Sequence, residues 1–518
     1  MSIVRASRRR RLRAGSLALL AWIVTSAPPA LRADVELAPL FRDHAVLQRG
    51  QPVPVWGFAD PGEQVTVSFH GTTVRGVAGA DRRWSAILPA EPANAQAADL
   101  VVSGRSTVTV RDVVVGDVWL CSGQSNMGRM VGQALESARE IASADYPLLR
   151  VIAVHDTVAD QPATTVGTTG WKIASPETAA HFTAVGYFFA RELYEDLGVP
   201  IGIIHSSFGG TRIEAWMSAA ALASDPDFAS VTREWREGNV VPYAKRKADY
   251  DGAVAAWQAD EAAAKAAGAA ALERFHRERK RPSAPMGPQQ APSALFNAMI
   301  NPLVPGALRG VVWYQGESNA WGALAYRKLF PALIRSWREH FGRPDLPFYW
   351  VQLAGYDTGH NWAGLREAQT MALALPHTGQ AVAIDVGEAA DIHPRDKQAV
   401  GHRLALIARA KTYGEDLEYS GPMLRDARRA GAAWRLSFTH AAGGLVALGG
   451  EVEGIEIAGS DRVFHPAPAR IEGGMLLVDA TADVPQPVAV RYAWQSYPRA
   501  NLYNQAGLPA VPFRTDDW

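Results

Sequence analysis

The sequence predicts an α/β protein: a parallel sheet wound by helices, with β-rich regions before and after it. Three observations carry that expectation. Apolar β runs ("DVWLCSG", "PIGIIHSS", "RGVVWYQG", "FYWVQLAG", "GQAVAIDVG") alternate with helix-like stretches at 127–143, 179–197, 323–341 and 394–413. Such a rhythm builds a parallel sheet and puts ligands at the carboxyl ends of its strands. Residues 35–112 instead alternate short β runs with turn residues, as in "PVPVWGFADPGEQVTVSF" and "STVTVRDVVVG", which fits a small sandwich. That texture returns from about residue 420 in "AAWRLSFTHAAGGLVAL", "GGMLLVDA" and "PVAVRYAW".

Taken in order, residues 1–33 read as a secretory signal. Arg5 and Arg8 to Arg11 form a cationic start, "AGSLALLAWIV" an apolar core and "SAPPALRA" a small-residue exit. The expected location is therefore periplasmic or secreted. Residues 34–112 are the N-terminal β-sandwich-like domain, 113–420 the α/β domain and 421–518 a C-terminal β-rich domain. Within the α/β domain, residues 218–290 hold an Ala, Lys, Glu and Arg-rich helical excursion, read as a solvated insert or as a lid or dimer element.

At 518 residues the chain exceeds a single hydrophobic core. Lys+Arg and Asp+Glu number 52 each, without the basic excess that a nucleic-acid partner demands. The one cysteine, Cys121, leaves no internal disulfide for an exported protein. After residue 33 no segment is apolar for long enough to span a bilayer, so no membrane association is expected once the signal is removed. No His, Asp and Glu cluster has zinc-ligand spacing, and neither a metal nor another cofactor is expected.

The chemistry centres on "LCSGQSNMG", residues 120–128. Ser125 falls at a strand end and a helix start together, which suits a helix N-cap as well as a nucleophile. The window is not G-x-S-x-G, because Met127 stands where the second glycine belongs. Three later stretches, each directly after an expected strand, favour the nucleophile. "HSSFGGTRIEAW" (205–216) offers bare backbone at Gly209 and Gly210. "WYQGESNA" (313–320) offers the Asn319 amide. "DIHPRDKQAVGHRLA" (391–405) puts His393 beside Pro394, a residue suited to the first turn of a helix.

In that order, Ser, Gly, Asn and His, the chain resembles the sialate O-acetylesterase-like branch of the SGNH (GDSL-type) hydrolases. The likeness extends through "LFRDHAVLQRGQPVPVWG", "GDVWLCSGQSNM", "GGTRIEAW", "WYQGESNA", "WAGLREAQ", "DIHPRDKQ" and "NLYNQAGLPAVPFRTD". It implies a three-layer α/β/α domain with Ser125 as nucleophile, His393 as general base, and an oxyanion hole made by Ser125, Gly210 with its neighbour Gly209, and Asn319. Many members carry the acid three residues before the histidine, a position occupied here by Ala390. Asp391 is then the expected acid, with Asp385 as rival and Glu388 behind it; a Ser–His dyad aided by a backbone carbonyl is the other arrangement.

The resemblance implies a carbohydrate O-acetylesterase of the sialate 9-O-acetylesterase type acting through an acetyl-enzyme. An acetylxylan or other hemicellulose esterase is the alternative, and a non-catalytic glycan-binding protein the alternative of another class. Around the motifs, Arg212 suits a substrate carboxylate or a salt bridge with Glu214 or another acid, Gln124 suits substrate binding, and Glu317 suits substrate binding or a hydrogen bond that orients the loop carrying Asn319. Trp216, Trp321 and Trp362 suit sugar stacking or core packing. Cys121 in its apolar run suits packing, and His205, His360 and His402 are alternative bases.

Overall fold

The computed structural model describes Ser2, residues 34–441 and residues 443–518. The export signal expected over residues 1–33 lies, Ser2 apart, outside the described residues. The architecture is mixed α/β, built on a large mixed sheet, with a further β-rich region at the carboxyl end. The central strands are β1 (Thr107–Gly123), β2 (Tyr146–Ala153), β3 (Lys172–Ala174), β4 (Ile201–Ser207), β5 (Gly310–Tyr314), β6 (Phe348–Val351) and β7 (Thr378–Ala381). They lie side by side as β3-β2-β4-β1-β5-β6-β7.

Every pairing in that row is parallel except β2 with β3. The expected parallel sheet is therefore mixed, because after β2 the chain turns back through residues 154–171 and lays a short strand along the outer edge. Strands before β5 fill one side of β1, and strands from β5 onward fill the other. The order reverses at β1, where an open α/β sheet leaves a crevice beyond its carboxyl ends.

Side-chain alternation explains how the sheet is covered. Trp119 of β1 and Trp313 of β5 point to opposite faces, since Trp119 is opposite Gly310 in the register. Helix α2 (Ala184–Leu197) covers the first face, with Phe189 edge-on to Trp119 at 5.0 Å. Helix α3 (Ala323–His340) covers the second, with Trp337 edge-on to Trp313 at 5.6 Å. All four rings are fully buried, and truncating such a Trp to Ala costs about 3–5 kcal/mol. Helix α5 (Lys397–Lys411) lies against α2 at Gly401, where a Cβ would stand 2.6 Å from that of Phe188.

The helix expected over 127–143 is broken into α1 (Ser125–Gly128), a 3-10 turn at Val131–Gln133 and a short helix at Ser137–Ala142. Arg129 is extended (φ −58°, ψ 128°) and Glu136 left-handed (φ 52°), so the apolar spacing of Met127, Val131 and Leu135 spans bends rather than one helix face. Helix α5 starts at Lys397, capped by the Asp396 side chain, so Pro394 and His393 lie in the loop ahead of it rather than at its mouth.

β1 begins in the N-terminal β region. Its early residues pair with Asn94–Ser103, and Val114–Gly116 pair with Val46–Gln48, before the strand enters the central sheet. Asp117 ties the two together: it accepts from Gln48 Nε2 at 2.9 Å, Arg49 Nη2 at 2.8 Å, Arg309 Nε at 2.8 Å and Tyr413 Oη at 2.9 Å. Burial alone would raise this carboxyl, but the Arg49 hydrogen bond and the Arg309 charge hold it below the usual range.

The C-terminal region forms two four-stranded sheets and a two-stranded one around a separate core, into which Val382 and Ile384 project from beyond β7. It is fastened through helix α4 (Trp362–Met371). Arg366, fully buried, donates to the carbonyls of Leu353, Ala354, Gln495 and Ser496, and Glu367 accepts from Arg514. In the excursion, the 24-residue helix Tyr243–Ala266 has no buried residue. Its exposed Lys245–Asp249 and Lys247–Asp251 pairs fit a solvated insert. Among the described residues no helix is long and apolar enough to cross a membrane.

Candidate active site

β1 ends at Gly123 with φ +136°, where a Cβ would fall 2.1 Å from the Tyr314 carbonyl oxygen of β5. Glycine is the residue that permits this approach. The next residue, Gln124, occupies the cap of α1 without a side-chain capping bond, so Ser125 is the first helical residue and not the cap. Its Oγ instead lies 2.8 Å from His393 Nε2. Two residues 268 positions apart are joined because β1 and the loop after β7 both end over the same crevice.

His393 is bracketed on its other side by Asp391. Asp391 Oδ1 accepts the backbone N–H of His393 at 2.8 Å and lies 3.5 Å from ring Nδ1. Asp385 is held elsewhere, bidentate to Arg403 at 2.7 Å and accepting from Tyr503 Oη at 3.1 Å. Glu388 accepts from the backbone N–H of Arg395 at 2.9 Å. Burial, and then the Arg129 charge, lower the His393 pKa from its ordinary 6.5, while Asp391 opposes them.

On the opposite flank, Gly209 lies against Ser125: a Cβ there would be 3.5 Å from that of the serine. Gly210 is left-handed (φ +68°), and its carbonyl accepts from Gln290 Nε2, whose Oε1 in turn takes the N–H of Arg212 at 3.1 Å. Among the described residues, the N–H groups of Ser125, Gly209 and Gly210 donate to no backbone carbonyl. The Asn319 amide is oriented by three bonds. Oδ1 accepts from Ile213 N–H at 2.9 Å and Gln315 Nε2 at 2.8 Å, and Nδ2 donates to Glu214 Oε2 at 3.0 Å. One Nδ2 hydrogen remains for a ligand.

Arg212 does not pair with Glu214, which Asn319 has taken. Its guanidinium stacks 4.5 Å from the ring centroid of Trp321, and Trp321 is 58 % exposed. Trp216 and Trp362 are core residues bonded to Thr211 Oγ1 and the Ala354 carbonyl. Gln124 and Glu317 are buried beneath the site. The Gln124 amide faces the N–H groups of Gly316 and Ser318 in one orientation, and Glu317 and Thr211 in the flipped one, so either way it braces the β5 loop. Cys121 is fully buried, and burial pushes its thiol up, away from the reactive thiolate. His205 bonds Ser207 Oγ at 2.7 Å and is held near 4 by burial, and His402 pairs with Glu192 at 2.8 Å. His360 sits in an exposed loop.

The family model described as carbohydrate esterase, sialic acid-specific acetylesterase, matches residues 115–237 and 264–409. The mouse sialate O-acetylesterase is 32 % identical, covering 89 % of this chain and 90 % of its own length. The human one is 31 % identical over 96 % and 95 %. A crystal structure of a carbohydrate acetylesterase from Xanthomonas citri is 41 % identical, covers 94 % of this chain and all of its own, and superposes with a TM-score of 0.79. The chain belongs to the sialic acid-specific acetylesterase family.

For this acetylesterase family member, the matched segments omit 238–263, most of which lies in the solvated helix Tyr243–Ala266. Not every motif that carries the family likeness carries chemistry. "WAGLREAQ" supplies the Arg366 and Glu367 clamps, and the Tyr503 of the closing motif supports Asp385. Sequence reasoning missed Gln290, Asn126 and Lys397. The last two were legible only as members of "GQSNM" and "HPRDKQ"; the contact between them joins residues 271 positions apart.

Proposed function

We propose that this acetylesterase-family protein removes O-acetyl groups from carbohydrates by an SGNH-type serine mechanism. The observation that carries the reading is the 2.8 Å contact of Ser125 Oγ with His393 Nε2, beside N–H groups at Ser125, Gly209 and Gly210 that donate to no backbone carbonyl among the described residues and the oriented Asn319 amide. His393 Nε2 takes the Ser125 proton as Oγ attacks the acetyl carbonyl carbon. The N–H donors hold the resulting oxyanion. Collapse breaks the bond to the sugar oxygen, which leaves with the proton from His393. Water, deprotonated by His393, then attacks the acetyl-Ser125 ester, releasing acetate and returning the proton to Oγ.

Asp391 is the acid of this scheme: it is the carboxylate next to ring Nδ1, whereas Asp385 is committed to Arg403. Arg212 and Trp321 form the rim where the sugar rests. The exposed Trp321 face suits a sugar ring, and a guanidinium without a carboxylate partner among the described residues suits a sialate carboxylate. Export, read from residues 1–33, would bring such an enzyme to extracellular glycans. A second reading, an acetylxylan or other hemicellulose esterase, uses the same machinery on another sugar; the 41 % identical protein from Xanthomonas citri is described as a carbohydrate acetylesterase. Acetate release from O-acetylated sialosides and xylo-oligosaccharides, beside a chromogenic acetyl ester, tests both. Turnover of the ester with a preference for sialosides supports the first; preference for xylo-oligosaccharides supports the second. No turnover of any leaves a glycan-binding protein.

A further inference from the structure

Beneath Ser125 lies a buried polar cluster that the acetyl-transfer scheme does not use. Asn126 Nδ2 donates to Glu317 Oε1 at 2.6 Å and to the Ile392 carbonyl at 2.9 Å, and Asn126 Oδ1 accepts from Lys397 Nζ at 2.6 Å. Asn126, Glu317 and Lys397 are all nearly inaccessible to solvent. Both amide donors and the amide oxygen have partners, and they fix its orientation, because Lys397 can only donate while a carboxylate and a carbonyl accept.

The partners are not scattered. Asn126 follows the nucleophile Ser125, Ile392 precedes the base His393, and Glu317 stands two residues before Asn319 in the oxyanion loop. One side-chain amide thus fastens the three segments that arrive after β1, β5 and β7. We infer that Asn126, held between Glu317 and Lys397, is a positioning residue that sets the relative placement of Ser125, His393 and Asn319. The inference rests on the serine mechanism proposed above.

Stability alone gives no reason for this choice of residues. Lys397 is the first residue of α5, where the N–H groups of a helix disfavour a cation, and its ammonium is turned inward to 5.2 Å from the Tyr314 ring centroid. Burying a Lys and a Glu costs more than burying apolar residues of similar volume. Burial lowers Lys397 to about 7 and raises Glu317, and each is partly restored by the charge of the other. A cost of this kind is repaid when it fixes reacting groups, since a displacement of 1 Å can lower a rate by about a hundredfold.

The test compares Lys397→Met, Asn126→Asp and the double variant Lys397→Met/Glu317→Gln with wild type on a chromogenic acetyl ester. A fluorophosphonate measures the reactivity of Ser125 in parallel, and circular dichroism checks folding. Lys397→Met leaves Glu317 without its cation and Asn126 Oδ1 without its donor. Expected are a kcat and a phosphonylation rate lower by about ten- to a hundredfold, with KM changed less than about twofold. The double variant removes both charges while keeping both Asn126 donor bonds, and should recover most of the loss. A residue that supported only the fold would change the melting temperature without this split and without rescue. Lys397→Met with wild-type kcat, or a double variant no faster than the single, overturns the inference. Should Lys397→Met fail to fold, Asn126→Asp decides: it sets a carboxylate against Glu317, and wild-type kcat in that variant overturns the inference. A wild-type protein that neither hydrolyses the ester nor reacts with the fluorophosphonate overturns the underlying serine reading instead.

Discussion

Asp391 offers a single oxygen, Oδ1, to two atoms of His393: the backbone N–H at 2.8 Å and ring Nδ1 at 3.5 Å. The backbone contact is the shorter, so the carboxylate fixes the loop first and the ring second. Its side chain is also 51 % exposed, and water screens its charge. Asp391→Asn should therefore lower kcat by about a hundredfold, short of the roughly 10⁴-fold loss at a buried triad aspartate. Asp385→Asn should instead weaken folding by about 2 kcal/mol through its bonds to Arg403 and Tyr503, with kcat nearly unchanged. Steady-state kinetics and denaturant melts on both variants check this; a larger kcat loss at Asp385 would transfer the role.

Ser125→Ala should leave a folded protein whose ester turnover is reduced roughly a thousandfold or more. Cys121→Ala should remain active, since the thiol is fully buried. Inactivation by thiol reagents with retained activity in Ser125→Ala would contradict the assignment.

Asn319→Ala should cost about 2.7–4 kcal/mol of transition-state stabilisation, seen in kcat. The amide is held by Ile213 and Gln315 before any substrate arrives, so it needs no reorganisation to meet the oxyanion. An effect confined to KM would make it a binding residue.

Turnover should rise with pH as His393 loses its proton, because only the neutral ring accepts from Ser125. Burial and then Arg129 lower the His393 pKa, so the rising limb should lie below the ordinary imidazole value of 6.5. Arg129→Gln removes the second cause, and the limb should move to higher pH. A pH–kcat/KM profile that stays fixed in this variant would show that Arg129 does not act on the ring.

Trp321→Ala should raise KM for an O-acetylated saccharide while leaving the small chromogenic ester unaffected, since the indole is exposed beside Arg212 and takes no part in the proposed acetyl transfer. Comparing the two substrates in one variant is the measurement.

How much of this was legible depended on whether the information was local. Strand ends carry their signal in adjacent residues, so the loops bearing Ser125, Gly210, Asn319 and His393 were identifiable from apolar runs followed by glycine or polar residues. The antiparallel edge strand Lys172–Ala174 was not, because three residues carry no periodicity. The helix expected over 127–143 failed because apolar spacing does not report the backbone turns at Arg129 and Glu136. Asp391 was the expected acid from its place beside His393, but the bond that holds its rival Asp385 was not legible, because it depends on Arg403, 18 residues along the chain. Arg212 likewise offered two partners in sequence, and only folding placed it on Trp321 rather than Glu214.

β1 runs without interruption from Thr107 to Gly123, first as a member of the N-terminal β region and then as the middle of the central sheet. The one irregularity along it is at Asp112, with φ +55°, where the pairing with Asn94–Ser103 shifts register; from Val114 onward the strand keeps one reading frame into the central sheet. Adding or removing a single residue between Val114 and Gly123 would turn every later side chain of the strand to the opposite face. Ser125, two positions beyond the strand, would be carried along. Length variation in this chain should therefore collect in the excursion around Tyr243–Ala266, where nothing buried keeps count, and be refused in the ten or so residues leading up to the serine.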